Sequence, residues 1–167
     1  METLKTIAEM IMIAARTAPK AKGCDNIVTR MLNGDEKKKI ADKMDEISIE
    51  YDHKGFKRDA QNVRDADIVV LIGTKTQRLQ LKVCGLCGAA NCADSEKKNY
   101  MCIFNPGDLG IAVGSAVSKA ADFRVDNRIM YTAGYASQKL GFVDEHVKIV
   151  YAIPLSVSGK NIFFDRI

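Results

Sequence analysis

The sequence predicts one α+β domain over residues 1–167, a small mixed or antiparallel sheet flanked by helices. Three observations carry this. Apolar residues at the start recur at steps of three and four: Leu4, Ile7, Ile11, Ala14 and Ala18. A β-branched run, Ile68-Val69-Val70-Leu71-Ile72, is closed by Gly73. Such runs are few, and helical patterning dominates the rest. A chain of 167 residues, 47% hydrophobic and 28% charged, can bury a core that needs no disulfides.

In order along the chain, the spacing predicts a helix over 3–18, stopped by Pro19. A loop with a short strand at 27–30 leads to Asn33-Gly34. Asp35 is a candidate N-cap for a second helix that turns Ile40, Met44, Ile47 and Tyr51 inward. Phe56, Ala60 and Val63 mark a third. Residues 67–73 read as a central strand, 79–83 as another that runs into the first clustered cysteine, and 100–104 as a further strand. Asn105-Pro106-Gly107-Asp108 reads as a turn, with Asp108 capping the next helix. That helix is smooth along Gly110, Ala112, Gly114, Ala116 and Ala120, which suggests a homodimer or a close helix pair. A last helix is expected over 126–140, ending at Gly141. A final strand over 147–153 is ended by Pro154, and a 156–160 loop precedes the tail.

Four of the five cysteines fall within nineteen residues, as Cys84, Cys87, Cys92 and Cys102 in a C-x2-C-x4-C-x9-C run. Four thiolates complete the ligand set of a tetrahedral zinc or of an iron–sulfur cluster. The run defines a metal-binding insertion at about 84–102. One C-x2-C knuckle, followed by Gly88, is compatible with structural zinc. Gly85, Gly88, Ala89 and Ala90 leave backbone N–H groups free to bond cluster sulfurs, and this favours 4Fe–4S. A redox-active dithiol at Cys84 and Cys87 is the third reading. Cys24, sixty residues upstream, reads as a small buried hydrophobe. His53 and His146 follow charged residues and read as surface groups.

The net charge of +4 comes from 25 basic and 21 acidic residues without a basic stripe or stacking aromatics, so no nucleic-acid role is expected. No apolar run reaches the roughly 18 residues of a membrane span. The start of the chain lacks the pattern of a cleaved signal, and the expected location is the cytoplasm, where clustered cysteines act as ligands. No nucleophile–base pair stands out. The leading functional reading is therefore a redox protein that passes electrons through one cluster to or from an unidentified partner protein. The competing class is a zinc-stabilised binding module.

Several segments carry a resemblance: 14–23, 84–102, Asp108-Leu109-Gly110-Ile111-Ala112-Val113-Gly114-Ser115-Ala116, Asp126-Asn127-Arg128-Ile129-Met130 and Pro154-Leu155-Ser156-Val157-Ser158-Gly159-Lys160-Asn161. Over nearly the whole chain these resemble the ferredoxin domain-containing proteins of anaerobic bacteria and archaea, which implies an iron–sulfur label. More faintly, the order of a helix ending Ala18-Pro19-Lys20-Ala21-Lys22-Gly23, a helix at Asp108-Leu109-Gly110 and a later one ending Leu140-Gly141 is similar to flavin-dependent nitroreductases. That likeness implies a nitroreductase-like fold and an FMN whose phosphate would meet Arg16, Lys20, Lys22 and Lys160. Lys20 and Lys22 stand where that family carries polar residues, and its arginine-rich N-terminal arm is missing.

Overall fold

The computed structural model describes residues 2–164. Helix α1 (Glu2–Thr17) buries Leu4, Ala8, Ile11 and Ala15 and ends ahead of Pro19. The Lys20 ammonium caps that end, donating to the carbonyls of Ala15 (3.2 Å) and Ala18 (2.8 Å) and to that of Arg16, which would otherwise be orphaned. A single 3-10 turn (Ala21–Gly23) leads to strand β1 (Ile27–Leu32). Helix α2 (Gly34–Glu50) starts after Asn33, two residues earlier than an Asp35 cap would place it. Asp35 and Glu36 instead sit in its first turn, where negative charge suits the helix dipole. Ile40, Met44 and Ile47 are buried as expected, whereas Tyr51, just past the helix, is 62% exposed. Helix α3 (Lys54–Asp65) buries Phe56, Ala60 and Val63, and His53 caps it by accepting from the Gly55 N–H (3.1 Å).

Strand β2 (Ile68–Lys75) is the centre of the fold. Its neighbours are β1 on one side and β4 (Val147–Ser156) on the other, and β3 (Asp126–Asn127) closes the far edge of β4. The sheet is antiparallel throughout, with Thr29 opposite Ile72 and Leu71 opposite Ala152. Two cores explain why β2 is an unbroken apolar run. Val69 and Leu71 face α2, α3 and α6 (Tyr131–Lys139), while Ile68, Val70 and Ile72 face α1 and α5 (Phe104–Asp122). A strand covered by helices on both faces has no polar side to show.

Five expectations fail. No strand forms over 79–83 or 100–104, and a short helix α4 (Cys92–Lys97) lies between those segments. Helix α5 begins at Phe104, because Pro106 in a first turn lacks only an N–H that has no partner there anyway. Asp108 is thus inside α5, 6% exposed, and accepts from the Ala21 N–H (3.0 Å) instead of capping. The helix expected over 126–140 starts only at Tyr131. Asp126–Asn127 pair with β4, and Met130 exchanges two backbone bonds with Ala152 (2.8 and 2.9 Å), so this segment closes a sheet edge. Pro154 lies within β4. Backbone groups two residues apart point the same way, so its missing N–H faces the edge served by Met130 for Ala152, where the partner chain has left the ladder.

Helix α5 divides its small residues by role. Ala112, Ala116 and Ala120 are buried against α1, and the Ser115 hydroxyl donates to the Ala14 carbonyl (2.8 Å). A Cβ on Gly110 or Gly114 would meet open space. No described helix is long and apolar enough to cross a membrane.

Candidate redox site

Between β2 and α5 the chain leaves the sheet, and residues 76–103 carry all four clustered cysteines. One side chain organises this excursion. The Arg78 guanidinium donates to the Ser95 hydroxyl (3.4 Å), the Ser95 carbonyl (3.1 Å) and the Tyr100 carbonyl (3.2 Å). Ser95 is 1% exposed, so a cation tethers the buried side of α4 and the chain beyond it to the exit of β2. Asn91 caps α4 by accepting from the Asp94 N–H (2.9 Å). The Asp94 carboxylate accepts from the Ala90 N–H (2.9 Å) and pairs with Lys98 (2.9 Å). The Lys98 hydrogen bond, aided by the Ala90 N–H, holds the Asp94 carboxyl below its ordinary range.

Cys84, Cys87, Cys92 and Cys102 are free thiols, each half-buried. Cys87 sits inside a tight turn in which the Gly88 N–H reaches the Gly85 carbonyl (2.9 Å). Its thiol is pulled below the usual range first by the Ala89 N–H, then by the Ser95 hydroxyl, with Arg78 adding attraction. Hydrogen bonds and positive charge that favour the anion make this sulfur the ready thiolate of the loop. Cys92 is the first residue of α4. Cys102 precedes α5, its carbonyl accepting from the Asn105 N–H (3.0 Å), and is not carried by the strand expected there. In chemistry this donor set suits a soft metal centre. In arrangement it stays open: among the described residues no three His, Cys, Asp or Glu side chains come close enough to hold a metal ion. Cys24 is half-buried rather than packed in the core, its sulfur 3.9 Å from the Lys22 carbonyl.

The cations that the flavin likeness singled out occupy two places. Arg16 donates to the Ile27 carbonyl (2.6 Å) and pairs with Asp25 (3.2 Å). Lys20, its side chain 5% exposed, caps α1, and Lys22 reaches the Leu79 carbonyl (3.1 Å). These three gather where β1 starts and β2 ends. Lys160 follows the other end of β4, next to Asn161, which bonds Asp126 (3.0 Å). His53 and His146 are exposed, as expected.

Sequence reasoning missed two buried amides near the cysteine loop. The Asn105 carbonyl oxygen accepts from the Gln77 N–H (3.0 Å), and the Asn26 backbone accepts from Lys75 (2.9 Å). Each leaves a buried side-chain nitrogen with no partner. Two orphaned donors within two residues of the β2 exit call for acceptors that the protein does not supply. No spacing rule singles out an Asn or Arg78; Asn105 in particular hid inside a turn signal.

Helices on both faces of this antiparallel sheet define a protein of the nitroreductase-like fold. A nitroreductase family protein from Clostridium novyi NT superposes with a TM-score of 0.64, at 15% identity, over 91% of this chain and 73% of that one. A nitroreductase with bound FMN from Bacteroides fragilis NCTC 9343 gives 0.62, at 11% identity, over 90% and 75%. At such identities the likeness is one of fold. The sequence pattern of the family described as "uncharacterized protein containing a ferredoxin domain (DUF2148)" matches residues 98–166. An uncharacterized protein of Archaeoglobus fulgidus is 43% identical over 99% of this chain and 92% of its own length. The chain belongs to this ferredoxin-domain family.

Proposed function

We propose that this protein is an electron-transfer protein in which Cys84, Cys87, Cys92 and Cys102 hold an iron–sulfur cluster, of the 4Fe–4S type. The observation that carries the reading is the loop itself: four free, half-exposed thiols on one excursion, one of them already biased toward thiolate. Ligating thiols must be deprotonated, and a metal site is rarely complete before the metal arrives. The open arrangement is then the metal-free form, and the loop closes as the sulfurs converge. The Ala89 N–H already supports the Cys87 sulfur, whereas those of Gly88 and Ala90 are bonded to the Gly85 carbonyl and the Asp94 carboxylate and would have to be released to bond cluster sulfur and tune its potential. A bound cluster would supply one-electron chemistry; the protein's own part is to hold it, limit water and present it to a partner.

Anaerobic purification followed by iron, sulfide and zinc analysis tests this. Iron and sulfide near the stoichiometry of one cluster, lost when any one of the four cysteines is changed to serine and kept in Cys24→Ser, supports it. Stoichiometric zinc with no iron favours the binding-module reading, and metal loss in Cys24→Ser moves that residue into the ligand set.

FMN binding is the second reading. It is favoured by the fold of a neighbour with bound FMN and by the orphaned amide nitrogens of Asn26 and Asn105, donors suited to a ring rich in acceptors. Within one chain its phosphate has Arg16 and Lys22 to meet, since Lys20 is committed to α1 and Lys160 lies at the other end of the sheet. We further propose a homodimer through the outer face of α1 and α5. There Met10, Ile13, Ile111 and Phe123 are 42%, 60%, 50% and 40% exposed beside the open glycines.

A further inference from the structure

A cavity of about 300 Å³ lies between the cysteine loop and the start of β4. That volume suits a small organic molecule. Its polar wall carries Arg78, Lys148, Gln77 and Asn99, its apolar wall Tyr100 and Met101, and Cys102 lines it as well. Two cations face this space and no carboxylate does. Asp94 of the same loop is already paired with Lys98 (2.9 Å). Arg78 spends its described hydrogen bonds on two carbonyls and a hydroxyl and forms no ion pair with a carboxylate among the described residues. Lys148 has no hydrogen-bond or ion-pair partner among the described residues. Behind the polar wall, Gln77 is bonded to Asn105, the fully buried amide whose nitrogen lacks an acceptor. Asn99 holds a left-handed backbone, φ 52°, because it ends α4, its N–H reaching the Glu96 carbonyl (3.0 Å) while the Tyr100 N–H reaches that of Ser95 (2.9 Å).

The geometry points to a binding site for a small organic carboxylate. The anionic head meets Lys148 and Arg78, with amide donors beside it, and a short apolar body lies against Tyr100 and Met101. Paired cations with planar donors suit a carboxylate, and the apolar wall excludes a bare inorganic ion as the best-fitting occupant. Binding needs no metal and stands apart from the function proposed above.

Isothermal titration of the full chain with phenylacetate, and with neutral phenylacetamide as its control, tests the site. Saturable binding of phenylacetate is expected, with phenylacetamide at least about tenfold weaker, the loss of one charge-assisted contact. Lys148→Gln should weaken phenylacetate by about tenfold. Lys97→Gln, an exposed lysine of the same loop outside the cavity, should leave it within about twofold if attraction is local rather than from the overall field. Equal affinity for acid and amide, no effect of Lys148→Gln, an equal effect of Lys97→Gln, or no saturable binding would each overturn the proposal. Iron content is measured separately. A protein that holds a cluster but not phenylacetate refutes this site alone; one that binds phenylacetate but never takes up iron refutes the cluster alone.

Discussion

Removing the Arg78 side chain should free the cysteine loop and leave the core intact. Arg78→Ala deletes three hydrogen bonds from a charged donor: 3.1 and 3.2 Å to two carbonyls and 3.4 Å to a hydroxyl. Hydrogen bonds of charged groups contribute about 1.5–3 kcal/mol each in good geometry. The long contact and the half-exposed setting reduce the total, and water can reach the Tyr100 carbonyl once the arginine is gone. A net loss of about 2–3 kcal/mol in the loop's own stability remains, or roughly 30- to 150-fold more frequent opening. The hydrogen bonds of Arg78 all go to Ser95 and Tyr100 of the same loop, so the loss should be local. Amide hydrogen exchange reads both parts. The Tyr100 N–H, bonded to the Ser95 carbonyl at 2.9 Å, should lose protection by that factor, while Val70 and Ile72 in β2 keep theirs. Unchanged protection at Tyr100 would mean that Arg78 does not staple the loop. Equal loss in β2 would mean that the loop and the core unfold as one unit.

Three further outcomes follow from the geometry. Cys87 should be the first of the five cysteines alkylated by iodoacetamide near neutral pH, by peptide mapping, and Ser95→Ala should slow it; because its folded pKa is lowered, the linked stability is complete above the ordinary thiol range and fades as pH falls through the depressed value. Gly134→Ala should destabilise by ~3 kcal/mol in urea titration, since a Cβ there would stand 2.0 Å from the Val150 carbonyl oxygen, whereas Gly110→Ala, which meets nothing, should be neutral or stabilising by up to ~1 kcal/mol. Ile111→Glu should turn a dimer into a monomer in sedimentation analysis without lowering helix content, and an unchanged sedimentation coefficient would remove the α1/α5 face as the interface.

The parts legible in the sequence are those where burial imposes a period. Ile40, Met44 and Ile47, or Phe56, Ala60 and Val63, announce one buried helix face, and 67–73 announces a strand covered on both sides. What was misread depends on partners distant in sequence. Residues 126–130 have helical neighbours, yet they extend because β4 has a free edge. Residues 79–83 and 100–104 have strand-like composition but find no edge, and Arg78 satisfies the Tyr100 carbonyl that a ladder would have used. At the site the same division holds. Cysteine identity and spacing were visible, because few residue types bind soft metals. Their distances were not, and neither were Arg78, Ser95 and the orphaned amides, whose roles arise only when β2, α4 and α5 meet.

Placing four thiols on an excursion rather than on the sheet has an energetic logic. A site built into the core would leave four sulfurs and their bonded N–H groups buried whenever the metal was absent, at a cost set by unsatisfied polar groups. On a loop the same groups can be solvated without a metal, so the proposed cluster could be absent with no cost to the core. Closure then costs the entropy of ordering the segment between Cys84 and Cys102, which grows only slowly with loop length. Arg78 and the Asn91 cap of α4 already fix part of that segment. Removing them should therefore weaken metal retention without changing a single ligand, whereas core substitutions such as Gly134→Ala act on the fold and leave ligand convergence to the loop.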